Sequence, residues 1–268
     1  MMSFEPSSVP LAIPLFRRPL VLGVFALAGL SACAQGPDAS GVDDPLVGVN
    51  RASHAFNQGA DRVILRPVSQ VYGTVVPEPV RLGVDNVSSN LSQPGLVVND
   101  VLQWRIEDAS HNLFRFLVNT TFGIGGLFDP ATSMGLDMRP TDFGETLHVW
   151  GVGEGAYIEL PILGPSTSRD AVGRAVDFVL DPVGALDLTV PQRQSVTSVR
   201  ILEVVDSRYV NTNIVDSLLY DSFDSYTQLR SVYLQNRRFS LSGGALEDVN
   251  MPLDLDPFDD PFAVPVSP

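Results

Sequence analysis

The chain has 268 residues, and its 31 acidic residues against 17 Lys and Arg give a formal net charge of −14. This excess of negative charge argues against nucleic acid as a partner, because phosphate binding requires a basic surface. It does not argue against a membrane, because apolar surface can enter a bilayer without lysines. Without a leader and a tail, about two hundred residues are left, enough for one domain with a core.

The first 32 residues have the pattern of a lipoprotein signal peptide. Arg17 and Arg18 form a basic region, and Leu20–Leu30 is an apolar stretch too short to span a hydrocarbon core of about 30 Å as a helix. Small residues then precede Cys33, which predicts cleavage before Cys33 and acylation of this residue. The alternative is an ordinary signal peptide in which Cys33 is incidental.

Cys33 is the predicted lipid attachment site and the only cysteine of the chain, so it has no partner for an internal disulfide. Ala34 follows it, not the aspartate that favours retention in the inner membrane, and we therefore expect an outer-membrane lipoprotein facing the periplasm. Residues 33–43 are polar and contain Gly and Pro, which predicts a flexible tether. Beyond Cys33 there is no run of about eighteen uncharged apolar residues, so no ordinary transmembrane helix is predicted.

The folded domain is predicted over residues 44–240 and begins with a helix. Asp44 and Pro45 form a helix start signal, and the helix runs to about Leu65. Arg66–Pro67 is predicted to end or kink it. Apolar residues at helical spacing place one face of this helix at Val49, Ala52, Phe56 and Ala60.

Three helical segments are predicted next. One begins at Pro77 and is broken by Gln93–Gly95, and a short apolar helix follows the break. The strongest helical pattern covers Arg105–Thr121. Its residues spaced by three and four are Ile106, Ala109, Leu113, Phe116, Leu117 and Thr120.

Two apolar segments rich in glycine, Asn119–Asp129 and Val149–Pro165, follow this helix. Glycine is costly inside a helix but permits positive φ and close approach of neighbouring atoms. Both segments therefore predict a sharply bent backbone that is buried or faces lipid. We expect six glycines to set backbone shape and not to bind a ligand: Gly123, Gly125, Gly126, Gly151, Gly153 and Gly155.

The remaining pattern is helical, and the end of the chain is acidic. Helices are predicted from a cap at Ser166–Asp170 to about Leu180, over Gln192–Tyr209 and over Asp221–Phe239. Residues 241–268 contain six acidic residues and no Lys or Arg, which predicts a disordered tail. With few alternating strands and no internal repeat, the predicted fold is a single all-α domain.

The sequence shows no motif for catalysis or metal binding. His54, His111 and His148 each lack a second His or Cys at metal-ligand spacing, and we expect them on the surface or on a helix face. There is no Gly-x-Ser-x-Gly elbow, and the glycine runs lack the pattern of a phosphate loop. We therefore predict that the protein is not an enzyme and holds neither a cofactor nor a metal.

Two placements are compatible with these apolar helices. In the first, the domain lies in the inner leaflet of the outer membrane, with helices parallel to the membrane plane and apolar flanks among acyl chains. In the second, the domain is water-soluble and only tethered by lipid, and the same apolar groups form its core. The residue pattern by itself favours the second placement.

Several short motifs occur in a fixed order along the chain. They are Asp44–Asn57, Arg66–Pro67, Val76–Pro77, Phe116–Asp129, Phe143–Leu147, Gly151–Tyr157, Leu160–Gly173, Asp224–Arg230 and Tyr233–Arg238. In this order they resemble the MlaA (also VacJ) family of outer-membrane phospholipid-trafficking lipoproteins. The chain departs from the family pattern at Asn236, which separates Gln235 from the arginine pair, and in its acidic tail.

The resemblance implies a ring-like helical domain embedded in the inner leaflet of the outer membrane, against a trimeric porin. It implies a channel that takes phospholipids misplaced in the outer leaflet and passes them to a soluble periplasmic carrier of the Mla pathway. An inner-membrane ABC transporter then receives the lipid, and lipid asymmetry is maintained.

Residue roles follow from the first family motif. Asn50, Arg51, Phe56 and Asn57 match it, which implies that they shape or gate the channel; the alternative is helix packing. For the whole protein, the alternative function is a structural or adaptor lipoprotein that docks on a porin or envelope complex without moving lipid. A lipid hydrolase would need a nucleophile, for which the sequence offers no candidate.

Overall fold

The structure, a computed structural model, describes residues 44–243. Its helices are α1 (Val47–Ala60), α2 (Arg66–Val75), α3 (Glu78–Leu102), α4 (Ile106–Thr121), α5 (Pro130–Ser133), α6 (Phe143–Val149), α7 (Ser168–Leu180), α8 (Val190–Val210), α9 (Thr212–Leu219) and α10 (Ser225–Leu241). The prediction of an all-α fold is confirmed. Cys33, the predicted signal peptide, the predicted tether and the predicted tail beyond Gly243 lie outside the described residues.

A small hairpin is the one addition to the helical fold within these residues. Strands β1 (Tyr157–Leu160) and β2 (Gly164–Thr167) pair antiparallel, with Tyr157 opposite Thr167. Both strands lie in or beside the second glycine-rich segment, for which the sequence predicted a bent backbone but no strands. The hairpin packs against α1, α7 and α10.

A π-helical turn, Asp61–Leu65, joins α1 to α2. Pro67 is the second residue of α2 and has no N–H to donate, and the turn before it is of the π type, with the N–H of Arg66 bonded to the carbonyl oxygen of Asp61. Asp61 is buried in the turn and accepts a hydrogen bond from Arg208 of α8 at 2.7 Å. The predicted end or kink at Arg66–Pro67 takes the form of a change of helix type just before the proline.

The predicted break at Gln93–Gly95 is wrong, because α3 continues through Pro94 to Leu102. Proline inside a helix removes one amide donor and crowds the preceding turn, at a cost of about 3 kcal/mol. Here α3 packs along α4 and α8, and its polar side chains on both sides of the proline are buried. Asn99, for example, donates a hydrogen bond to Asp177 of α7 at 2.9 Å. Tertiary packing thus overrides the local signal.

Four helices begin at a polar residue whose side chain accepts the amide N–H three residues later, as expected for a helix N-cap. These caps are Asp129 of α5, Asp142 of α6, Thr167 of α7 and Asp224 of α10. They explain why the chain re-enters a helix so soon after each bend.

The distribution of side chains is the reverse of that in a water-soluble domain. Among the described residues, 9 hydrophobic side chains are buried against 24 polar or charged ones, while 38 large hydrophobic side chains are exposed. Tyr157, Tyr226 and Leu234 form a small buried cluster, with Tyr233 packed against it. In the part of the chain that the structure describes, no single helix has the length and apolarity to span a bilayer.

Helix α4 shows this inversion residue by residue. Ile106, Leu113 and Leu117 have the predicted helical spacing, but they are exposed. Its buried face consists of Ala109, Asn112, Arg115, Val118 and Asn119. Of the six residues predicted to share a face, four are exposed, Phe116 is half-buried and Ala109 is buried, so most of the predicted apolar face points outward.

Candidate functional site

The candidate functional site is the set of buried polar side chains on the inner faces of the helices, here called the polar interior, with the apolar surface around it. Several buried atoms of the polar interior have no hydrogen-bond partner among the described residues. They include both amide atoms of Gln93, Oδ1 of Asn90 and Oε1 of Gln103. An unpartnered buried polar group costs about 1 to 3 kcal/mol, so these atoms mark places suited to a polar ligand or solvent.

Asn50 connects the start of α1 to the hairpin. It is 1% exposed, and its amide group donates to Asp44 at 2.9 Å and to the carbonyl oxygen of Tyr157 at 3.0 Å. Its carbonyl oxygen accepts the backbone N–H of Glu159 at 3.0 Å. The two contacts with Tyr157 and Glu159 fix β1 against α1.

Asn57, two turns further along α1, also connects this helix to the hairpin. Its amide group donates to the carboxylate of Glu159 at 3.1 Å and to the carbonyl oxygen of Leu160 at 3.0 Å. It also accepts the backbone N–H of Ile162 at 2.6 Å, at the tip of the hairpin. Asn50 and Asn57 therefore determine where the hairpin lies relative to α1.

Arg51 connects α1 to α10, and Phe56 faces outward. Arg51 donates to both carboxylate oxygens of Asp224, at 3.2 and 2.8 Å, and its guanidinium lies 4.7 Å from the centroid of the Tyr226 ring. This hydrogen bond holds the pKa of Asp224 well below its ordinary value. Phe56 is 54% exposed and belongs to the apolar surface. The first family motif thus combines three structural contacts with one surface side chain.

His54 lies on a helix face, as predicted, but that face is buried. Its Nδ1 lies 3.0 Å from a carboxylate oxygen of Glu159, and its Nε2 lies 2.8 Å from Oγ of Ser225. The ring therefore joins α1, the hairpin and α10. Within residues 44–243, no group of three or more His, Cys, Asp or Glu side chains is arranged to hold a metal.

The first glycine-rich segment is a turn, and polar side chains hold its two ends together. Arg115 contacts Asp129 at 2.6 Å and Thr132 at 2.9 Å, and it also donates to the carbonyl oxygen of Leu136. Asn119 donates to Asp129 at 2.9 Å. Burial raises the pKa of Asp129, but hydrogen bonds from its neighbours outweigh this effect and lower it, so the carboxylate stays charged.

The tip of the same turn is apolar and exposed. Phe122 is 78% exposed and Ile124 69%. Ile124 has φ 55°, and two glycines that follow have φ 69° and 92°. Positive φ is strained for a β-branched residue, and such strain often occurs at functional positions. The turn therefore presents large apolar side chains outward, while the Arg115–Asp129 ion pair and its neighbouring hydrogen bonds hold the residues beneath them.

The six glycines differ in whether and why a larger residue would be unfavourable at each position. A Cβ at Gly123 would lie 2.3 Å from the carbonyl oxygen of Phe128, and one at Gly126 would lie 2.5 Å from Asn90. Gly151 and Gly155 have positive φ. Gly125 has positive φ but open space around it, and Gly153 has open space around it and no positive φ.

We expect Gly125→Val to impair membrane embedding, because a β-branched residue at φ 69° strains the turn by about 1 to 2 kcal/mol. The measurement is the fraction of protein recovered with outer membranes. Gly59→Val is the matched control, since Gly59 lies in α1 with open space around it. Unchanged outer-membrane recovery of the Gly125 variant would contradict the expectation.

A cleft of about 280 Å³ opens between α3, α7 and α8. Its apolar walls are formed by Leu96, Val98, Phe178 and Leu180. Asn99 and Asp177 provide polar groups in the same lining, and the ion pair of Asp181 with Arg200, at 2.8 Å, lies beside them. Burial raises the pKa of Asp177. The cleft combines apolar walls with a polar lining, as an amphipathic ligand requires.

This geometry can be compared with known proteins. A family model described as MlaA lipoprotein matches residues 42–240. The chain belongs to the MlaA lipoprotein family. The resemblance predicted from the ordered motifs is therefore confirmed.

Individual relatives agree over most of the chain. The intermembrane phospholipid transport system lipoprotein MlaA of Shigella flexneri is 36% identical, with 87% of this chain and 91% of that protein covered. The protein of the same name from Escherichia coli (strain K12) is 34% identical over the same shares. A solved structure described as the structural basis for maintenance of bacterial outer membrane lipid asymmetry matches with a TM-score of 0.64 and 33% identity. The match covers 74% of this chain and 99% of the chain in the solved structure.

Sequence reasoning missed the ion pairs that close the polar interior of this MlaA family member. Arg230 contacts Asp44 at 2.7 Å, Arg208 contacts Asp61 at 2.7 Å, and Arg237 contacts Asp170 at 3.0 Å. The partners are separated by 186, 147 and 67 residues. No local spacing relates residues so far apart.

Proposed function

We propose that this protein removes phospholipids misplaced in the outer leaflet of the outer membrane and passes them to a soluble periplasmic carrier, which maintains lipid asymmetry. In this proposal Cys33 carries the lipid anchor, residues 1–32 are the signal peptide and residues 33–43 the tether. The domain lies ring-like in the inner leaflet against a trimeric porin. Residues 241–268 have no assigned role.

The observation that carries the proposal is the inverted distribution of side chains. Exposed apolar side chains are stable in acyl chains, and buried polar ones can line a path for headgroups. A water-soluble domain would leave this apolar surface in water, which argues against the tethered soluble alternative. The names of the MlaA relatives, which refer to intermembrane phospholipid transport, point in the same direction.

Asn50, Arg51 and Asn57 would shape the path by holding the hairpin and α10 in place, and Phe56 would face acyl chains. Lipid movement along such a path needs no covalent step. We therefore propose a non-enzymatic role, in which binding and release of the lipid are the only chemistry.

The test is the amount of phospholipid in the outer leaflet of cells that lack the protein, measured with an outer-leaflet-specific acylation or labelling assay. Cells are complemented with wild type or with Cys33→Ala. We expect phospholipid to accumulate in the deletion, wild type to correct it and Cys33→Ala to fail, because in this proposal acylation of Cys33 is what delivers the domain to the outer membrane. Wild type recovered with outer membranes, but without accumulation in the deletion, would favour the adaptor function instead.

A further inference from the structure

Two arginines lie near the ring of one tyrosine at the π-helical turn, and a third arginine shares the carboxylate that this tyrosine contacts. The guanidinium of Arg62 lies 4.9 Å from the centroid of the Tyr220 ring, and that of Arg66 lies 5.2 Å from it. The Tyr220 hydroxyl donates to Asp61 at 2.7 Å, and burial together with this bond raises the pKa of Tyr220 to about 12. Arg208 donates to the same carboxylate at 2.7 and 3.0 Å. We call these residues, with Asp216, the arginine cluster.

The arginine cluster carries one positive charge more than its carboxylates neutralise. Asp61 is taken by Arg208, and Asp216 bridges Arg66 and Arg208 at 2.6 Å each. Arg62 makes no ion pair with any carboxylate of the described residues. Three guanidinium groups against two carboxylates leave a charge of +1, which matches the single negative charge of a phosphodiester.

Unused donors remain in the arginine cluster. Nη1 of Arg208 and Nε of Arg66 are buried and have no hydrogen-bond partner among residues 44–243. The side chain of Arg208 is only 4% exposed, while that of Arg66 is 38% exposed. Arg62 is exposed. A ligand that enters beside Arg62 and Arg66 would therefore meet donors that the protein itself does not use.

The backbone and the neighbouring side chains suit a lipid ligand. A π-helical turn is rare and frequently occurs at functional sites. In this turn Arg62 is followed directly by Val63 and Ile64, which are 74% and 63% exposed. Exposed apolar side chains are therefore present in the same turn as the guanidinium group, as at the boundary between headgroup and acyl chains.

We propose that the arginine cluster binds the phosphodiester group of a phospholipid, with Arg62 as the first contact and Val63 and Ile64 against its acyl chains. The proposal rests on the function proposed above, since it names a place where the transported lipid is held. The arrangement of Asp61, Asp216 and Tyr220 keeps the guanidinium groups together without neutralising all of them.

The test is the affinity of the purified full-length protein in detergent for dihexanoyl-phosphatidylglycerol, measured by calorimetric titration. Arg62→Gln is compared with Arg193→Gln, which makes the same change at an exposed position near the start of α8. Dihexanoylglycerol, which lacks the phosphate, and inorganic phosphate are titrated in parallel. We expect Arg62→Gln to bind phosphatidylglycerol about tenfold more weakly than wild type and Arg193→Gln to match wild type.

Each other outcome overturns the proposal in a recognisable way. If Arg62→Gln and wild type bind phosphatidylglycerol with equal affinity, the arginine cluster is not a phospholipid site. If deletion cells still accumulate phospholipid in the outer leaflet, the proposed function is nevertheless supported. If inorganic phosphate binds as tightly as phosphatidylglycerol, the arginine cluster is a site for free anions and not for a phospholipid. If wild type binds no phospholipid and deletion cells show no accumulation, both proposals fail together.

Discussion

Arg115→Ala is expected to lower the free energy of unfolding by about 3 kcal/mol, because it removes one partner of a largely buried ion pair. The Arg115 side chain is 6% exposed and contacts Asp129 at 2.6 Å. Without it, the charged carboxylate keeps only hydrogen bonds from Asn119 and Thr132. For a domain of this size we expect the melting temperature to fall by about 8 °C, measured by circular dichroism in one detergent.

Two variants separate this effect from a general loss of charge. Arg193→Ala removes an exposed arginine and is expected to melt within about 1 °C of wild type. Arg115→Lys keeps a positive charge but not the planar donor group, so its melting temperature should fall between those of wild type and Arg115→Ala. If Arg115→Ala melts like wild type, the glycine turn is held by its backbone hydrogen bonds and not by this ion pair.

The sequence predicted helices well where spacing alone decides. The pattern over Arg105–Thr121 corresponds to α4, and the glycines mark a real turn, with positive φ at Gly125 and Gly126. Spacing could not predict which face of α4 is buried, because Asn112, Arg115 and Asn119 recur at the same period as the apolar residues. Whether an apolar face packs inward or faces lipid depends on the surrounding medium, which periodicity does not encode.

A compositional signal for the buried ion pairs was present in the sequence. It contains no lysine, so all 17 basic residues are arginine. Arginine is favoured over lysine in buried ion pairs, because its planar group donates several hydrogen bonds and is more weakly hydrated. The signal indicates that buried pairs exist, but not which residues pair. The hairpin was missed for a related reason, since Asn50 and Asn57 of α1 hold β1 across more than a hundred residues of chain.

The roles of the first family motif illustrate the same limit. Sequence resemblance implied that Asn50, Arg51, Phe56 and Asn57 shape or gate a channel, with packing as the alternative. The contacts of Asn50 and Asn57 with the hairpin are packing contacts, yet they also fix one wall of the polar interior. In a protein whose interior is polar, the same hydrogen bonds both pack the helices and shape that interior.

Asp100→Asn is expected to stabilise the protein at pH 7.5 by about 2 to 3 kcal/mol. Asp100 is 1% exposed in α3, and burial, only partly offset by a hydrogen bond from Asn112, raises its pKa to about 6. The folded state therefore keeps a proton between about pH 4 and pH 6 that the unfolded chain releases. Wild type loses stability as the pH rises through this window, because a buried carboxylate must become charged.

Melting temperatures from pH 3.5 to pH 7.5 test this expectation. Asp100→Asn should melt about 5 °C or more above wild type at pH 7.5, and this difference should disappear below about pH 4, where the wild-type carboxyl is protonated in both states. Asp137→Asn is the control, since Asp137 is exposed and its replacement should leave the pH profile unchanged. A variant of Asp100 that melts below wild type at pH 7.5 would mean that the charged carboxylate is needed, with Asn112, to hold α3 against α4.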